Sequence, residues 1–351
     1  MLKAMGALRF YSRPVQPADD ALAKSAQAAA VRAEECLQQV RAVEERCQEI
    51  VRQLATANER LSQLTQRESE LRAVLERDVE LERHRDHLNN VLDRKGTANA
   101  VQAAIEDARL HLEPCPYTVI DDLLPSGLYT CLLRGIPPVQ LFANKPKGRQ
   151  HLSPPFALAP MYSQRIWSYM ATELVASVIT PHIISKFRES IDAWISANWP
   201  DLQPSAVPLH GSGGRLMFNQ RGYTILPHRD PKWGFLTCIL YLARPGDSES
   251  WGTQLYAVDG DEQATSAAPY WIDPTRCRLA EDVAFRPNRL LVFLNSTGAH
   301  GAHIPDDQPE GLERYIYQFR IGPSTDTVSM LKSKLTEDRQ PLWAGKARVD
   351  Y

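Results

Sequence analysis

His228 and Asp230 are separated by a single residue in the segment from Pro227 to Pro231. In an extended backbone, side chains two residues apart leave the same face, so an imidazole nitrogen and a carboxylate oxygen can converge on one point. A histidine from another strand would complete a triad of two histidines and one carboxylate, which leaves one side of a ferrous ion open. A His-x-Asp pair alone is weak evidence, because it is common by chance.

The third ligand is predicted to be His300, which follows an apolar run and has Gly298 and Gly301 beside it. Glycine lets the backbone bend close to a ligand. His303 is the alternative, three residues further on. We favour His300 because of its adjoining glycine.

A cation for an acidic ligand is predicted at Arg314, which opens a strand after the candidate histidine. A guanidinium suits a carboxylate because its fork binds both oxygens. Arg320, at the end of the same strand, is the alternative. Asn219, Tyr223 and Tyr241 are candidate pocket residues, with Tyr241 placed beside the cofactor.

Length and composition bound the class of protein. The chain has 351 residues, 43% of them hydrophobic, and a formal net charge of -2, so two domains are expected and no basic field for nucleic acid is indicated. The 6 cysteines form no CxxC pair, which argues against a zinc knuckle and fits a reducing compartment. No apolar run is long enough to span a membrane. We therefore expect a cytoplasmic protein that binds neither nucleic acid nor membrane.

The first third of the chain has the pattern of a helical arm. Residues 1–20 are predicted to be a disordered leader, with an organelle-targeting segment as the alternative. Residues 21–95 are predicted to be a coiled-coil arm, which favours a homo-oligomer; a helix folded back on itself or on the second domain is the alternative. Residues 96–112 are predicted to be a linker helix. The apolar positions step by alternating four and three residues: Leu22, Ala26, Ala29, Ala33, Cys36, Val40, Val43, Cys47, Ile50, Leu54, Ala57, Leu61, Leu64, Glu68, Leu71 and Leu75.

After Pro116 the sequence is typical of a mixed helical and β-rich domain, predicted to span 113–323 and to be followed by a tail, 324–351. Helices are predicted at 126–133, 162–179 and 181–198, with a loop at 139–160. Short strands are predicted at 117–120, 215–219, 223–226, 235–242, 254–258, 283–285, 290–294 and 315–319. Helices followed by many short strands predict an α+β fold with flanking helices around a double-stranded β-helix, or jelly roll. The polar insertion from Asp259 to Arg278 is predicted to cover the substrate mouth.

The order of these motifs resembles the iron(II)- and 2-oxoglutarate-dependent dioxygenases, in their prolyl-hydroxylase-like branch. The segment Pro116 to Pro125 resembles the opening of such domains, and Gly222 to Asp230 resembles their first metal-ligand motif. The strands at Ile239 to Leu242 and Gly252 to Tyr256 resemble the pair that follows. The closing motif is matched by Asn288 to Asn295, His300-Gly301 and Arg314. The resemblance covers roughly Glu113 to Pro323 and leaves the helical arm outside.

The resemblance implies that His228, Asp230 and His300 bind Fe(II) and that Arg314 holds the distal carboxylate of 2-oxoglutarate. It implies consumption of O2, hydroxylation of an unactivated C–H bond of an organic or peptidyl substrate, and release of succinate and CO2, with ascorbate as a possible reductant. Prolyl hydroxylases usually carry lysine where this chain has Arg314, which disfavours peptidyl-proline as substrate. Asp230 is present where related halogenases lack the carboxylate, so hydroxylation is expected.

Two other functions are compatible with parts of the sequence. In one, the roll is a degenerate scaffold and the coiled coil of a non-catalytic interaction protein binds its partners. In the other, a cupin-like roll uses the same ligands to activate water for hydrolysis, which needs no oxygen and gives Arg314 no role.

Overall fold

A computed structural model describes residues 17–93, 95–145, 150–152, 156–230, 234–260, 272–337 and 340. Its contacts divide the chain into two compact units, residues 1–68 and 69–351. Most of the predicted leader and the centre of the predicted lid lie outside the described residues. None of the described helices combines the length and the apolarity that crossing a bilayer requires.

The first unit consists of the greater part of one long helix, α1, which begins at Pro17 and runs unbroken to Glu82. The end of the predicted leader is therefore helical, and the helix does not fold back on itself. The chain is helical again in α2 and α3, and the predicted linker helix ends five residues early, at Asp107. The helices are α1 (Pro17–Glu82), α2 (Arg85–Leu92), α3 (Thr97–Asp107), α4 (Ser126–Arg134), α5 (Met161–Tyr169), a π-helical continuation (Met170–Ile179), α6 (Thr180–Lys186), α7 (Arg188–Asn198) and α8 (Thr325–Ser333).

The second unit contains two antiparallel sheets. Within the described residues, the larger sheet has the strand order β1-β2-β11-β8-β13-β6-β4-β3, with β5 also paired to β13, and the smaller sheet has the order β10-β9-β12-β7. The strands are β1 (Leu110–His111), β2 (Tyr117–Ile120), β3 (Ala143–Lys145), β4 (Gln150–Leu152), β5 (Leu209–Gly211), β6 (Arg215–Asn219), β7 (Thr224–His228), β8 (Leu236–Tyr241), β9 (Thr253–Val258), β10 (Cys277–Val283), β11 (Leu290–Leu294), β12 (Ala299–His303) and β13 (Arg314–Pro323). Helices packed with antiparallel sheets confirm the α+β prediction.

The central strands β8 and β11 are buried at every position. Such strands are covered on both faces, which explains why they are continuous apolar runs in the sequence. Leu236, Cys238 and Leu240 of β8 pack into a core shared with the helices. Ile239 and Tyr241 point the other way, into a second core that includes residues of both sheets. The second unit is therefore built in layers of helices, larger sheet and smaller sheet.

Other sequence predictions also differ from the structure. The predicted helix 181–198 is two helices, because Phe187 leaves helical geometry (φ −94°, ψ 4°) between α6 and α7. The predicted loop 139–160 contains the paired strands β3 and β4. Of the predicted strand 283–285 only Val283 is in a strand: it is the last residue of β10, which begins at Cys277 inside the segment predicted to be a lid.

Trp167 on α5 is the largest of the fully buried side chains among the described residues, and it links α5 to the larger sheet. It is fully buried, stacks on Tyr317 of β13 with ring centroids 5.1 Å apart, and donates from Nε1 to the carbonyl of Gly135 at 2.7 Å. We expect Trp167→Ala to lower the free energy of unfolding by about 3–5 kcal/mol, since it leaves both a cavity and an unpaired carbonyl. Urea unfolding measures this loss. Leu158→Ala, at an exposed position, is the control and should change it by less than about 0.5 kcal/mol.

Candidate metal centre

Strand pairing in the smaller sheet brings the three predicted ligands together. His300 of β12 lies directly opposite His228 of β7 in the antiparallel register. Residues directly opposite each other project from the same face, and Asp230, two residues after His228, can join them. Candidate ligand atoms of the three side chains all lie within 4.8 Å of one another, and all three residues are buried.

The geometry of the two histidines leaves one nitrogen of each facing Asp230. The Nε2 atom of His228 is 3.9 Å from Oδ1 of Asp230, and the Nε2 atom of His300 is 3.8 Å from Oδ2. His228 Nδ1 is 2.9 Å from the carbonyl oxygen of Leu226. A carbonyl can only accept, so Nδ1 carries the proton and the neutral ring presents the Nε2 lone pair, as a metal ligand must.

The protonation states also suit a divalent cation. Burial, followed by the neighbouring His228, lowers the pKa of His300 to about 3, and burial likewise lowers the pKa of His228. Burial alone would raise the pKa of Asp230, but the Arg320 guanidinium and then the two imidazoles and Thr237 outweigh it and hold that pKa below its ordinary value. At neutral pH the site therefore offers two neutral nitrogens and one carboxylate, a donor set that fits ferrous iron.

Asp230 is held in place by two side chains that the sequence did not connect with it. Nη2 of Arg320 is 2.8 Å from Oδ1, and the hydroxyl of Thr237 donates to Oδ2 at 2.6 Å. Asn295 in turn donates from Nδ2 to the Thr237 hydroxyl at 2.9 Å. Partners of this kind orient metal ligands, so the carboxylate is preorganised.

Glycines shape the turn that carries His300. Gly298 has a positive φ of 68°, which favours glycine. A Cβ atom on Gly301 would lie 2.8 Å from the carbonyl oxygen of Ile225 on the neighbouring strand, so any larger residue would push β12 away from β7. His303, the alternative ligand, is exposed, and its Nδ1 is 2.8 Å from the Thr224 hydroxyl. It does not belong to the cluster.

The triad opens into a cavity of about 110 Å³ between the two sheets. Alternate residues of β13 line it, because successive side chains of a strand point to opposite faces. The lining residues are Met217, Tyr223, Ile225, His228, Asp230, Ile239, Thr253, His300, Gly301, Ala302, Arg314, Ile316, Gln318 and Arg320.

Arg314 is a buried cation in this cavity. Its side chain donates to the side-chain oxygen of Asn219 at 2.8 Å and to the backbone carbonyls of Gly252, at 3.2 Å, and Trp251. Each of these acceptors is a neutral oxygen, and burial lowers the pKa of the guanidinium. A buried charge without a counter-ion is costly, so this end of the cavity favours an anion.

The candidate pocket residues surround that guanidinium. Tyr223 lines the cavity, whereas Tyr241 lies behind Arg314, with the guanidinium carbon 5.7 Å from the ring centroid. Burial raises the pKa of both tyrosines to about 12, so both are neutral hydrogen-bond donors at neutral pH. Among the described residues, the Asn219 amide nitrogen is buried without a hydrogen-bond partner. Asn219 itself does not line the cavity, and its side-chain oxygen accepts from Arg314.

Comparisons with known proteins gave matches among solved structures alone: no protein-family model and no curated protein matches the sequence. HygX from Streptomyces hygroscopicus, solved with nickel, 2-oxoglutarate and hygromycin B, is 13% identical; the match covers 60% of this chain and 83% of HygX, with a TM-score of 0.38. A prolyl-4-hydroxylase from Pseudomonas putida is 14% identical over 64% of this chain and 99% of its own, with a TM-score of 0.33. The epimerase SnoN, in complex with Fe3+, alpha ketoglutarate and nogalamycin RO, is 12% identical over 66% of this chain and 85% of its own, with a TM-score of 0.37. Similarity this low does not identify the activity.

The hydrogen bond from Thr237 to Asp230 gives a test of the metal centre. We expect Thr237→Val, which keeps the shape but removes the donor, to weaken binding of Mn(II), a redox-inert stand-in for Fe(II), by about 10- to 100-fold. Isothermal titration calorimetry measures the affinity. Thr224→Val, which removes the exposed contact with His303, is the matched control and should bind as the natural protein does. Equal affinities for the two variants would contradict the assigned role of Thr237.

The lowered pKa of His300 predicts how the metal-free protein responds to acid. The unfolded imidazole takes up a proton near pH 6.5, while the folded one does so near pH 3. Between these values the unfolded state binds more protons, so stability falls as the pH is lowered from about 6.5 towards 3. His300→Leu should flatten this part of the curve of melting temperature against pH, measured by circular dichroism. An unchanged slope would show that His300 titrates alike in both states.

Proposed function

We propose that this chain is an Fe(II)- and 2-oxoglutarate-dependent oxygenase that hydroxylates an unactivated C–H bond and releases succinate and CO2. One observation carries the proposal: a single buried cavity has a two-histidine, one-carboxylate cluster on its wall and, elsewhere on that wall, the Arg314 guanidinium with neutral partners. A metal ion suits the first feature and a carboxylate suits the second. A dicarboxylate such as 2-oxoglutarate can occupy both.

We further propose that the two antiparallel sheets form a double-stranded β-helix, or jelly roll. The site lies between them, facing the second core. A roll of this kind presents a mouth between its sheets where a metal can be bound away from bulk water.

When bound, iron and 2-oxoglutarate supply the oxidising chemistry, and the protein supplies binding, orientation and exclusion of water. His228, Asp230 and His300 would hold the metal through three positions, leaving the others open. Arg314 would bind the distal carboxylate of 2-oxoglutarate, with Tyr241 behind it.

Other residues of the cavity control what surrounds the reacting groups. Arg320 and Thr237 hold Asp230 ionised and fixed in orientation. The apolar side chains of Met217, Ile239 and Ile316 line the wall between the charged groups and limit the water there. A dry, preorganised site strengthens electrostatic binding of a dianion.

We also propose a cytoplasmic location. Within the described residues all six cysteines are free, as expected in a reducing compartment that also keeps iron ferrous. Ascorbate is predicted to be the auxiliary reductant. The primary substrate is an organic or peptidyl molecule, and arginine rather than lysine at position 314 continues to disfavour peptidyl-proline.

The test uses the two known probes, Fe(II) and 2-oxoglutarate, mixed with the protein under anaerobic conditions. A weak visible charge-transfer band should form when 2-oxoglutarate chelates the bound iron. Asp230→Ala should abolish the band. Arg314→Gln should shift its titration to at least about 30-fold higher 2-oxoglutarate, because a buried charged hydrogen-bond partner is lost.

Arg286→Gln is the matched control, since this arginine forms an exposed ion pair with Glu249 at 3.0 Å outside the cavity. It should titrate as the natural protein does. A band that persists in Asp230→Ala, or the same titration for Arg314→Gln and Arg286→Gln, would refute the proposed site. Succinate formation after admitting oxygen, absent in Asp230→Ala, gives the second readout.

A further inference from the structure

The helix α1 carries an exposed apolar seam along most of its length. In the heptad pattern the positions from Leu22 to Leu75 alternate between a and d, and a helix of this extent is about 80 Å long. Leu22 is 74% exposed, Leu54 58% and Leu75 65%. Exposed apolar surface of this extent on a single chain marks an interaction site.

The seam has a gradient of side-chain size. After Leu22, its first part holds small residues, Ala26, Ala29, Ala33 and Cys36. Apart from Ala57 and Glu68, its last part holds large residues, Leu54, Leu61, Leu64, Leu71 and Leu75. Well-packed helix pairs place large residues opposite small ones, so the partner that best fits this seam has the same gradient in the opposite direction.

We propose that two copies of this chain associate through α1 as an antiparallel coiled coil, with the two-fold axis between Gln48 and Glu49. Every seam residue of one copy then lies opposite a seam residue of the other, an isologous arrangement. The layers are Leu22 with Leu75, Ala26 with Leu71, Ala29 with Glu68, Ala33 with Leu64, Cys36 with Leu61, Val40 with Ala57, Val43 with Leu54, and Cys47 with Ile50. Every layer except the first pairs a smaller side chain with a larger one.

A parallel, in-register pair of α1 helices would pack the same seam less well. It places Ala26, Ala29, Ala33 and Ala57 each opposite its own copy, which leaves four thin layers. It also places Glu68 opposite Glu68 of the second copy, and like charges facing each other at a core position are unfavourable. In the antiparallel pair Glu68 instead lies opposite Ala29, whose small side chain leaves it a path to solvent.

The flanking charges disfavour the register displaced towards the N-terminus, whereas complete overlap of the seam favours the proposed register over the one displaced towards the C-terminus. In the proposed pairing Arg46 lies beside Gln53 of the second copy, and Gln39 beside Arg60. Moving the axis by one heptad step towards the N-terminus would instead bring Arg46 against its own copy, and the opposite step would bring Arg46 against Arg60. The proposed pairing retains one like-charge contact, between Arg32 and Arg67. Glu68, which follows Arg67 in the sequence, places a negative charge beside this contact.

The first test is the mass in solution. The full chain should have twice its monomer mass by light scattering at micromolar concentration. Leu54→Arg should return it to the monomer mass, since a charge would face Val43 of the second copy. Glu59→Arg, on the outer face of α1, is the matched control and should stay dimeric. A monomeric natural chain, or a dimeric Leu54→Arg variant, would overturn the proposal.

The second test fixes the orientation by disulfide cross-linking with an added oxidant such as diamide. The proposed pairing brings residue 36 opposite residue 61, so the variant Cys47→Ala/Leu61→Cys should form a covalent dimer joined between positions 36 and 61, identified by peptide mapping. Cys47→Ala alone, which keeps Cys36, and Cys36→Ala/Cys47→Ala/Leu61→Cys should not cross-link through these positions. A bond that joins position 36 to position 36 of the second copy, or position 61 to position 61, would show a parallel pair and overturn the proposed orientation.

Discussion

The antiparallel register between β7 and β12 is the constraint on which the site depends. It places His300 opposite His228, and the i+2 spacing then adds Asp230 to the same face. Because side chains alternate along a strand, a slip of one residue would turn His300 away from the cavity. The register shift that follows His300 in β12 and the tight contact at Gly301 show how this pairing is kept: the strand bends immediately after the histidine, and no side chain can enter there.

Buried charge is the second feature that shapes the cavity. Asp230 and Arg320 neutralise each other across 2.8 Å, so that pair is satisfied within the protein. Arg314 differs, because its partners in the described chain are a side-chain amide and two backbone carbonyls. Burial of an arginine in this state costs stability, and proteins retain such groups where a ligand completes the pairing. The two arginines of one strand thus have different surroundings: Arg320 faces a carboxylate of the protein, and Arg314 contacts neutral oxygens.

Local patterns in the sequence predicted much of this arrangement. The strands 215–219 and 290–294 coincide with β6 and β11, and alternation or continuous apolar runs identified them without knowledge of their neighbours. The candidate metal-ligand cluster could be predicted from the sequence because its residue types are chemically distinctive and two of them are close in sequence.

Contacts that depend on the order of strands in the sheets could not be predicted from the sequence. Arg320 and Thr237 contact Asp230 because β13 and β8 are neighbours in the larger sheet, and no local pattern encodes that pairing. The break at Phe187 could not be predicted, because no proline or glycine lies at that position. The β3–β4 pair lies in a stretch rich in proline, lysine and glycine, a composition typical of loops, so its strands were missed.

The placement of both arginines on one face of β13 has a consequence for ligand length. The triad lies on the smaller sheet and Arg314 on the larger one, so the packing of the two sheets sets their separation. Along β13, the nearly constant rise per residue fixes the separation of Arg314 from Arg320, which contacts Asp230. The length of the cavity is therefore set by regular strands. A ligand that contacted both the triad and Arg314 would have to match the separation between them in length.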